Sequence, residues 1–386
     1  MNSKAFAVPR QMWYAEDELL LHFPESWEVV PCLMQGHNTP PLTSDHIRAA
    51  FNQPTGSPRL GELAKGKNKV VILFDDVSRS TRTSQFIPHI LQELKAADIP
   101  DSAIRFICAS GAHGALSYLD FHKKLGAEVM HKFPVYNHNP YENCSYVGQT
   151  SQGTKLYVNS EVMSCDLKIG IGSMAPHPQS GFSGGGKIIL PGVSGMDSID
   201  AYHRLEIEAR ETGRGNIVGP GNYTENPLVK DFNESARMAS LDFKIDAIFN
   251  GKGQACALFV GEPQTEYFKA VEFAASHYAT RPVPDTDIAV VNTYSKGNEA
   301  IIGLIMGIMM LTEKGGDLVL IMDCPAGQVV HYLLSSFGQV AKGRLFSAVN
   351  FQLPWIKRMI VLSPQSEKSM ADWLAIPGTV WAKTWP

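Results

Sequence analysis

Short apolar runs alternate along the first two thirds of the chain with segments whose apolar residues recur at helical spacing. Residues 69–74 (KVVILF) and 104–109 (IRFICA) have the length and β-branched content of buried strands. Each is followed by a polar loop and then by an amphipathic segment; the helix near residues 117–125 ends at Gly126. Strands that alternate with helices predict an α/β fold built on parallel sheets.

The pattern continues to a third strand and an unusual glycine-rich stretch. Residues 166–171 predict a strand, and residues 172–195 hold too many glycines and prolines for a helix. Such a long, shaped loop is more often functional than not. A helix is expected over residues 198–209, with Asp197 or Ser198 as its N-cap. Further helices are expected over residues 226–239 and 265–278, and strands over 243–250 and 257–260.

A break in the pattern near residue 280 predicts two domains. Pro282 and Pro284 disfavour helix, and a new strand, helix and strand are expected over residues 287–292, 298–311 and 317–322. We therefore predict two α/β domains with mainly parallel sheets, residues 1–280 carrying the cofactor and catalytic loops and residues 281–386 following. The active site is expected in the cleft between them, and residues 371–386 are expected to pack back on the first domain.

Composition and charge narrow the function classes. The 386 residues carry a formal net charge of −4, so nucleic acid and anionic membrane are not expected partners. The apolar run of residues 300–311 is too short to cross a bilayer, and the N-terminus lacks the apolar core of a secretory signal. Six scattered cysteines without a CxxC pair fit reduced thiols. A cytoplasmic location is expected.

Candidate catalytic residues lie on the loops that leave the predicted strands. Ligands of such sheets bind at the carboxyl ends of the strands, where the loops 75–83 and 110–114 emerge. The Arg79 guanidinium suits a carboxylate or phosphate, although a solvated loop explains it equally well. His113 lies between small residues and His177 between two prolines. Histidines on opposite sides of one substrate carbon can exchange protons on both faces.

Residues 181–187 (GFSGGGK) share the G-x-x-x-x-G-K spacing of a phosphate-binding P-loop. Ile188 stands where that motif needs a hydroxyl for magnesium, and Pro191 falls where its helix should continue. This weakens the interpretation as a nucleotide-dependent phosphotransferase without removing it. A lysine in a tight loop suits covalent attachment or anion binding, so Lys187 is a candidate for either. No local motif supports a metal site.

Taken together, these segments resemble the nickel-pincer-nucleotide lactate racemase family, whose members racemise or epimerise 2-hydroxy acids. The resemblance runs from about Val70 to Gly261 and is looser beyond. The segments that carry it are residues 75–79 (DDVSR), 110–113 (SGAH), 177–192 (HPQSGFSGGGKIILPG), His203, 226–236 and 242–243.

The resemblance implies a role for each matched residue. Lys187 would carry the covalently attached cofactor, pyridinium-3-thioamide-5-thiocarboxylic acid mononucleotide, and His203 would be the protein ligand to nickel. His113 and His177 would be the catalytic acid and base. Arg79 would bind substrate. The remaining implied cofactor contacts are Asp76, Ser78, Gly184, Gly185 and Gly186. The implied reaction is reversible hydride transfer through a keto acid, and cofactor-maturation proteins would be partners.

Two departures from the family pattern bear on the substrate. Ser80 replaces the usual proline after the arginine, and residues 300–304 offer neither of the expected Gln and Lys contacts. Lys296 is the candidate substitute, with Asn298 and Glu299 beside it, so the expected substrate is a 2-hydroxy acid other than lactate. A non-catalytic cofactor or small-molecule carrier remains an alternative. If His113 and His177 are structural, His122 and His138 are the nearest other bases in sequence.

Overall fold

The computed structural model describes residues 3–333, 355–365 and 376–386 of the chain. The strands are β1 (Ser3–Gln11), β2 (Ala15–Pro24), β3 (Val70–Phe74), β4 (Ile104–Cys108), β5 (Val135–Asn137), β6 (Cys144–Gln149), β7 (Lys155–Asn159), β8 (Leu167–Ser173), β9 (Pro176–His177), β10 (Gly181–Phe182), β11 (Phe243–Phe249), β12 (Ala255–Gly261), β13 (Ile288–Asn292), β14 (Gly316–Ile321), β15 (Ile356–Leu362) and β16 (Val380–Ala382). The α-helices are α1 (Ser44–Asn52), α2 (Leu60–Ala64), α3 (Ile87–Ala96), α4 (Tyr118–Leu125), α5 (Ala127–Lys132), α6 (Ser160–Met163), α7 (Met196–Glu211), α8 (Pro227–Met238), α9 (Pro263–His277) and α10 (Ile301–Ile308).

The larger of two compact units, Gln35–Ala279, is built on a six-stranded sheet of order β12-β11-β8-β3-β4-β5. All neighbouring strands are parallel except β12, which runs antiparallel to β11. The predicted α/β fold with mainly parallel sheets is therefore confirmed. Phe74 lies opposite Cys108 on β4 and Ile171 on β8, so the chain leaves these three central strands at the same edge of the sheet.

Each face of this sheet is covered by its own hydrophobic core. Val70, Ile72 and Phe74 of β3 face one core, which includes residues of α1 and α3. Val71 and Leu73 face the other, together with apolar residues of the glycine-rich segment and of helices α7, α8 and α9. The alternation of side chains along a strand separates the two sets. The glycine-rich segment is therefore packed against the sheet.

The smaller unit combines Met1–Met34 with Thr280–Pro386. Its sheet has the order β13-β14-β15-β16 with parallel pairing throughout, and β1 and β2 form an antiparallel hairpin. Residues 1–34 are expected in the first domain, but in the structure they group with the C-terminal part of the chain. The physical reason is a set of contacts that no local pattern predicts: Leu21 and Phe23 share a core with Ile321 and Leu362.

The C-terminal segment also meets the hairpin. Trp385 packs edge-on against Phe23, with ring centroids 5.4 Å apart, and its Nε1 donates to the carbonyl of His22. Residues 371–375 of the predicted returning segment lie outside the described residues. Over the described ranges, no helix combines the length and apolar character needed to span a bilayer.

Several element boundaries differ from the prediction. Helix α7 begins two residues earlier than expected, with Gly195 as its N-cap and no side-chain cap. The helix expected over residues 298–311 is divided into a 3-10 segment, Tyr294–Glu299, and α10. The hairpins β1–β2 and β6–β7 were not predicted, because their residues show no clean alternation of apolar and polar positions.

Candidate active site

The loops that follow β3 and β4 bring Asp76 and His113 into contact. His113 Nδ1 lies 2.5 Å from Asp76 Oδ2. Burial raises the pKa of Asp76, but the neighbouring His113 and Arg79 outweigh it and hold that pKa well below its usual range. Because the carboxylate can only accept, His113 Nδ1 carries the proton in this contact. The lone pair of the neutral ring is then on Nε2, as a general base requires.

The rest of the first loop holds this pair in place. The backbone N–H of Ser78 donates to Asp76 Oδ1 over 2.7 Å, and Arg79 Nη1 donates to Ser78 Oγ over 2.6 Å. Ser78 is completely buried. Its backbone N–H and its hydroxyl form hydrogen bonds within the loop, and the cofactor contact expected of Ser78 stays a prediction. The Asp76 carboxylate contacts His113, and the cofactor contact expected of Asp76 also stays a prediction.

A buried lysine that the sequence analysis did not single out supports the same loop. Lys124 of α4 is completely buried, and its Nζ donates to Asp75 Oδ1 over 2.6 Å. Thr81 Oγ1 donates to the other oxygen of Asp75 over the same distance. The available signal was its place on the apolar face of α4, three residues after Phe121.

His177 lies on the short hairpin formed by β9 and β10. Its Nδ1 accepts from the backbone N–H groups of Gln179 and Ser180, at 3.2 and 3.3 Å. The proton of the neutral ring is therefore on Nε2, the reverse of the arrangement at His113. Asn226 at the N-cap of α8 donates from Nδ2 to the carbonyl of Gln179, which ties this hairpin to the helix.

Lys187 lies in a 3-10 turn, Gly185–Ile188, directly after the hairpin. Its Nζ donates to Ser180 Oγ over 3.1 Å, and this hydroxyl in turn donates to the carbonyl of Phe182. Ser180 is completely buried, while Lys187 is half-buried. The amine is thus held by a neutral hydroxyl at the end of a short, well-packed turn.

The glycines before Lys187 allow this turn to pack closely. Gly185 has φ +53°, and a Cβ there would lie 2.6 Å from the ring of Tyr267. A Cβ on Gly186 would lie 2.4 Å from the carbonyl oxygen of Phe232. The N–H of Gly185 donates to Asp246 Oδ2 over 2.6 Å. A P-loop needs such N–H groups for phosphate, so a carboxylate already in that position argues against the phosphotransferase interpretation.

His203 lies on α7 with 8% of its surface exposed. Its Nδ1 is 2.7 Å from the carbonyl oxygen of Ile199, which can only accept, so Nδ1 carries the proton and Nε2 the lone pair. Burial lowers the pKa of His203 to about 4. Repulsion by the positive charge of Lys187, and by His113 in its protonated form, lowers the pKa of His203 further, so both residues lie near it. A neutral imidazole with its proton fixed on one nitrogen suits metal ligation.

The structure brings His113, His177, Lys187 and His203 to one part of the larger unit. Asp76 and Arg79 belong to the same loop system. Among the residues described, no group of three or more His, Cys, Asp and Glu side chains could hold a metal ion. A metal bound through His203 would therefore take its other ligands from elsewhere.

Three further residues have different surroundings. Lys296 belongs to the smaller unit, where its Nζ pairs with Glu299 over 2.7 Å. His138 is buried, with Nε2 on the carbonyl of Ser194 and Nδ1 on Asn159. Both ring nitrogens of His138 are therefore engaged in hydrogen bonds that stabilise the fold. His122 is exposed on α4.

Comparison with known proteins identifies the family. Residues 14–215 match the family described as the lactate racemase N-terminal domain, which is more than half of the chain. The protein thus belongs to the lactate racemase family.

Two curated relatives are named lactate racemase. The protein of Thermoanaerobacterium thermosaccharolyticum is 26% identical over 291 residues, which are 73% of this chain and 66% of that relative. The protein of Lactiplantibacillus plantarum is 28% identical over 246 residues, which are 63% of this chain and 56% of that relative. The chain thus spans less than two thirds of the length of each.

Solved structures share the fold. The lactate racemase apoprotein of Thermoanaerobacterium thermosaccharolyticum matches with a TM-score of 0.75 and 19% identity, over 99% of this chain and 93% of that one. A Thermotoga maritima protein matches with a TM-score of 0.56 and 20% identity, over 72% of this chain and 71% of that one.

Proposed function

We propose that this protein is an isomerase that racemises or epimerises a 2-hydroxy acid with a nickel-pincer nucleotide attached to Lys187. The observation that carries the proposal is the opposite placement of the ring protons on His113 and His177. One histidine presents a lone pair on Nε2, and the other presents an N–H. Oxidation and renewed reduction of a hydroxy acid need a base for the hydroxyl proton and a hydrogen-bond donor to the same oxygen, and this pair supplies one of each.

The side chains present fit the proposed cofactor. Lys187 offers a half-buried amine for covalent attachment, and His203 offers a neutral Nε2 for nickel. The Lys187 amine lies close enough to His203 for its positive charge to lower the pKa of the imidazole. Nickel accepts an imidazole alongside sulfur ligands, which the nucleotide would provide. Gly184, Gly185 and Gly186 shape the turn that presents Lys187 and serve the cofactor in that way.

When bound, the nickel-pincer nucleotide supplies a reversible hydride acceptor, so the hydroxy acid is oxidised to the keto acid and reduced again. The protein's residues handle the proton and the substrate. His113, polarised by Asp76, removes the hydroxyl proton of one enantiomer through Nε2. His177 donates a hydrogen bond from its Nε2–H to the same oxygen. The proton held by the His113 imidazolium returns to that oxygen when the opposite enantiomer forms. Arg79 binds the substrate carboxylate through its guanidinium.

The substrate is proposed to be a 2-hydroxy acid other than lactate. Residues 300–304 of the smaller unit are Ala, Ile, Ile, Gly and Leu, and they supply no polar contact. Lys296 is the proposed polar substitute, with its ammonium group paired to Glu299. We also propose that the protein functions in the cytoplasm and depends on cofactor-maturation proteins.

The test is to produce the protein together with the cofactor-maturation proteins. Three measurements decide the proposal: nickel content, the intact mass of the peptide containing Lys187, and inversion of a panel of 2-hydroxy acids that includes lactate. One nickel per chain, a nucleotide adduct on Lys187 and inversion of at least one acid are expected. His203→Ala should lose nickel, whereas His122→Ala, an exposed histidine on α4, should keep it.

Two results would contradict the proposal. An active preparation with unmodified Lys187 would exclude the attached nucleotide. A preparation that carries nickel and the adduct but exchanges no 2-hydrogen between enantiomers would indicate a carrier without turnover. Binding of magnesium and ATP that depends on Lys187 would instead restore the phosphotransferase alternative.

A further inference from the structure

The turn that carries Lys187 rests on a buried group of ionisable side chains. Lys244 and Asp246 of β11 and Glu266 of α9 are each at most 1% exposed. Lys244 Nζ donates to Asp246 Oδ1 over 2.5 Å and to the carbonyl of Ile245 over 3.0 Å. Asp246 Oδ2 accepts the N–H of Gly185 over 2.6 Å. The carboxylate of Asp246 therefore joins the sheet to the turn.

The charges of this group do not balance if all three residues are ionised. Lys244 and Asp246 neutralise one another, which leaves Glu266 as an additional carboxyl group. In the described part of the chain, neither oxygen of Glu266 receives a hydrogen bond, and both are buried. An ionised carboxylate without a donor is costly in such surroundings, and a second negative charge beside Asp246 adds repulsion.

The groups that face Glu266 favour its neutral form. Asp246 of β11 and Glu262, at the N-cap of its own helix, are negative, and Lys244 is already paired. Burial and the neighbouring Asp246 raise the pKa of Glu266 well above its usual range. A protonated carboxyl group has one O–H to donate, and the carboxylate of Asp246 is the acceptor with which it interacts.

We propose that Glu266 is a positioning residue that keeps its proton in the folded protein and donates it to Asp246. This hydrogen bond fixes the carboxylate that holds Gly185, and thereby the turn that presents Lys187. Tyr267, the next residue of α9, packs against Gly185, so the same helix supports the turn in two ways. The importance assigned to Lys187 rests on the proposed function, but the proton on Glu266 does not.

The first experiment measures the proton without reference to activity. In the unfolded chain a glutamate has a pKa of about 4.3 and is ionised above about pH 6. If the folded protein keeps the proton, the unfolded state binds fewer protons, and stability falls as pH rises. Glu266→Gln keeps a donor and removes this linkage. The unfolding equilibrium constant of the wild type relative to Glu266→Gln should therefore rise about tenfold per pH unit between pH 6 and 8.

The matched control is Glu272→Gln, an exposed position on the same helix. Its ratio to the wild type should not change with pH, because the Glu272 side chain is exposed to solvent in the folded protein as it is in the unfolded chain. If the ratio of unfolding equilibrium constants between the wild type and Glu266→Gln is also independent of pH, Glu266 is ionised in the folded protein. This result would overturn the proposal.

The second experiment tests positioning with the chain purified without maturation proteins. Acetylation of Lys187 by sulfo-N-hydroxysuccinimide acetate is followed by mass spectrometry. Glu266→Gln should react at the wild-type rate, since the amide still donates to Asp246. Glu266→Met has similar volume but no donor, so the turn should loosen and Lys187 should react at least threefold faster. Glu272→Met should leave the rate unchanged.

Equal rates in Glu266→Met and Glu266→Gln would reject the positioning role. If the methionine variant does not fold, Glu266→Asp replaces it, because its shorter side chain withdraws the donor from Asp246 and the same increase is expected. Failure of either experiment concerns Glu266 alone. Failure of the proposed function would appear instead as absent nickel, adduct or inversion in the co-produced protein.

Discussion

Three histidines of the site differ in what their Nδ1 contacts, and this contact decides what each Nε2 can do. At His113 the partner is a carboxylate, at His177 two backbone N–H groups, and at His203 a backbone carbonyl. The sequence identified these histidines through their loops and the family motifs. It could not assign their protons, because the Nδ1 partner of His113 comes from another loop and those of the other two depend on local backbone geometry.

Asp76→Asn tests the arrangement at His113. The amide cannot stabilise a positive imidazole as the carboxylate does, so inversion should fall about 10²-fold or more in both directions. Nickel content and the adduct on Lys187 should stay normal, since the Asp76 carboxylate is engaged by His113 and by the backbone N–H of Ser78. Asp101→Asn, an exposed carboxylate paired with Lys132, is the control and should keep full activity. Near-normal inversion in Asp76→Asn would remove Asp76 from the mechanism.

At the scale of elements, the central strands and their helices could be predicted because buried strands are short apolar runs and the helices are amphipathic. Strand β11 shows the limit of such patterns. Lys244 and Asp246 alternate with apolar residues, which is typical of a strand with one exposed face, yet both are buried because the glycine turn and α9 cover that face. Lys124 is similar, since its partner Asp75 lies on a distant loop. A pattern shows periodicity but not what covers a face.

The glycine turn gives a prediction for Gly185→Ala. The residue has positive φ and no space for a Cβ beside Tyr267, so the free energy of unfolding should fall by more than about 2 kcal/mol. Gly66 has φ +74° with nothing within 4 Å of a Cβ, so Gly66→Ala should cost only about 1 kcal/mol. Chemical denaturation measures both. Equal losses would mean that the close packing at Gly185 contributes nothing.

At the scale of the whole molecule, residues 1–34 and 280–386 form one compact unit. The contact that joins the two segments centres on Asp323, whose Oδ2 accepts from Arg10 Nε and Nη2 at 3.0 and 2.7 Å. Gln11 and Gln365 donate to its other oxygen. The sequence predicted a boundary near residue 280 from its prolines. It could not predict that residues 1–34 pack with the C-terminal part of the chain, because contacts between segments distant in sequence leave no local pattern.

Asp323→Ala should loosen the hairpin β1–β2. It removes a buried carboxylate and leaves the Arg10 guanidinium without it, so the smaller unit should lose about 3 kcal/mol. Asp17 also pairs with Arg10, over 2.7 Å, but is 45% exposed, so Asp17→Ala should cost less than about 1 kcal/mol. Hydrogen exchange should become faster in β1 of Asp323→Ala and stay unchanged in β3. Similar effects of the two variants would show that burial of Asp323 is unimportant.

The return of residues 1–34 also sets an order of events at the ribosome. The hairpin strands emerge first, but the strands they join are made only after all of Gln35–Ala279 has been translated. At about 5–20 residues per second this interval lasts on the order of 10 to 50 s. The unit Gln35–Ala279 can form its sheet in that time. Leu21 and Phe23 remain unpacked until Ile321 and Leu362 have been synthesised. Nascent chains stalled before residue 316 should therefore be the species that chaperones bind at residues 1–34.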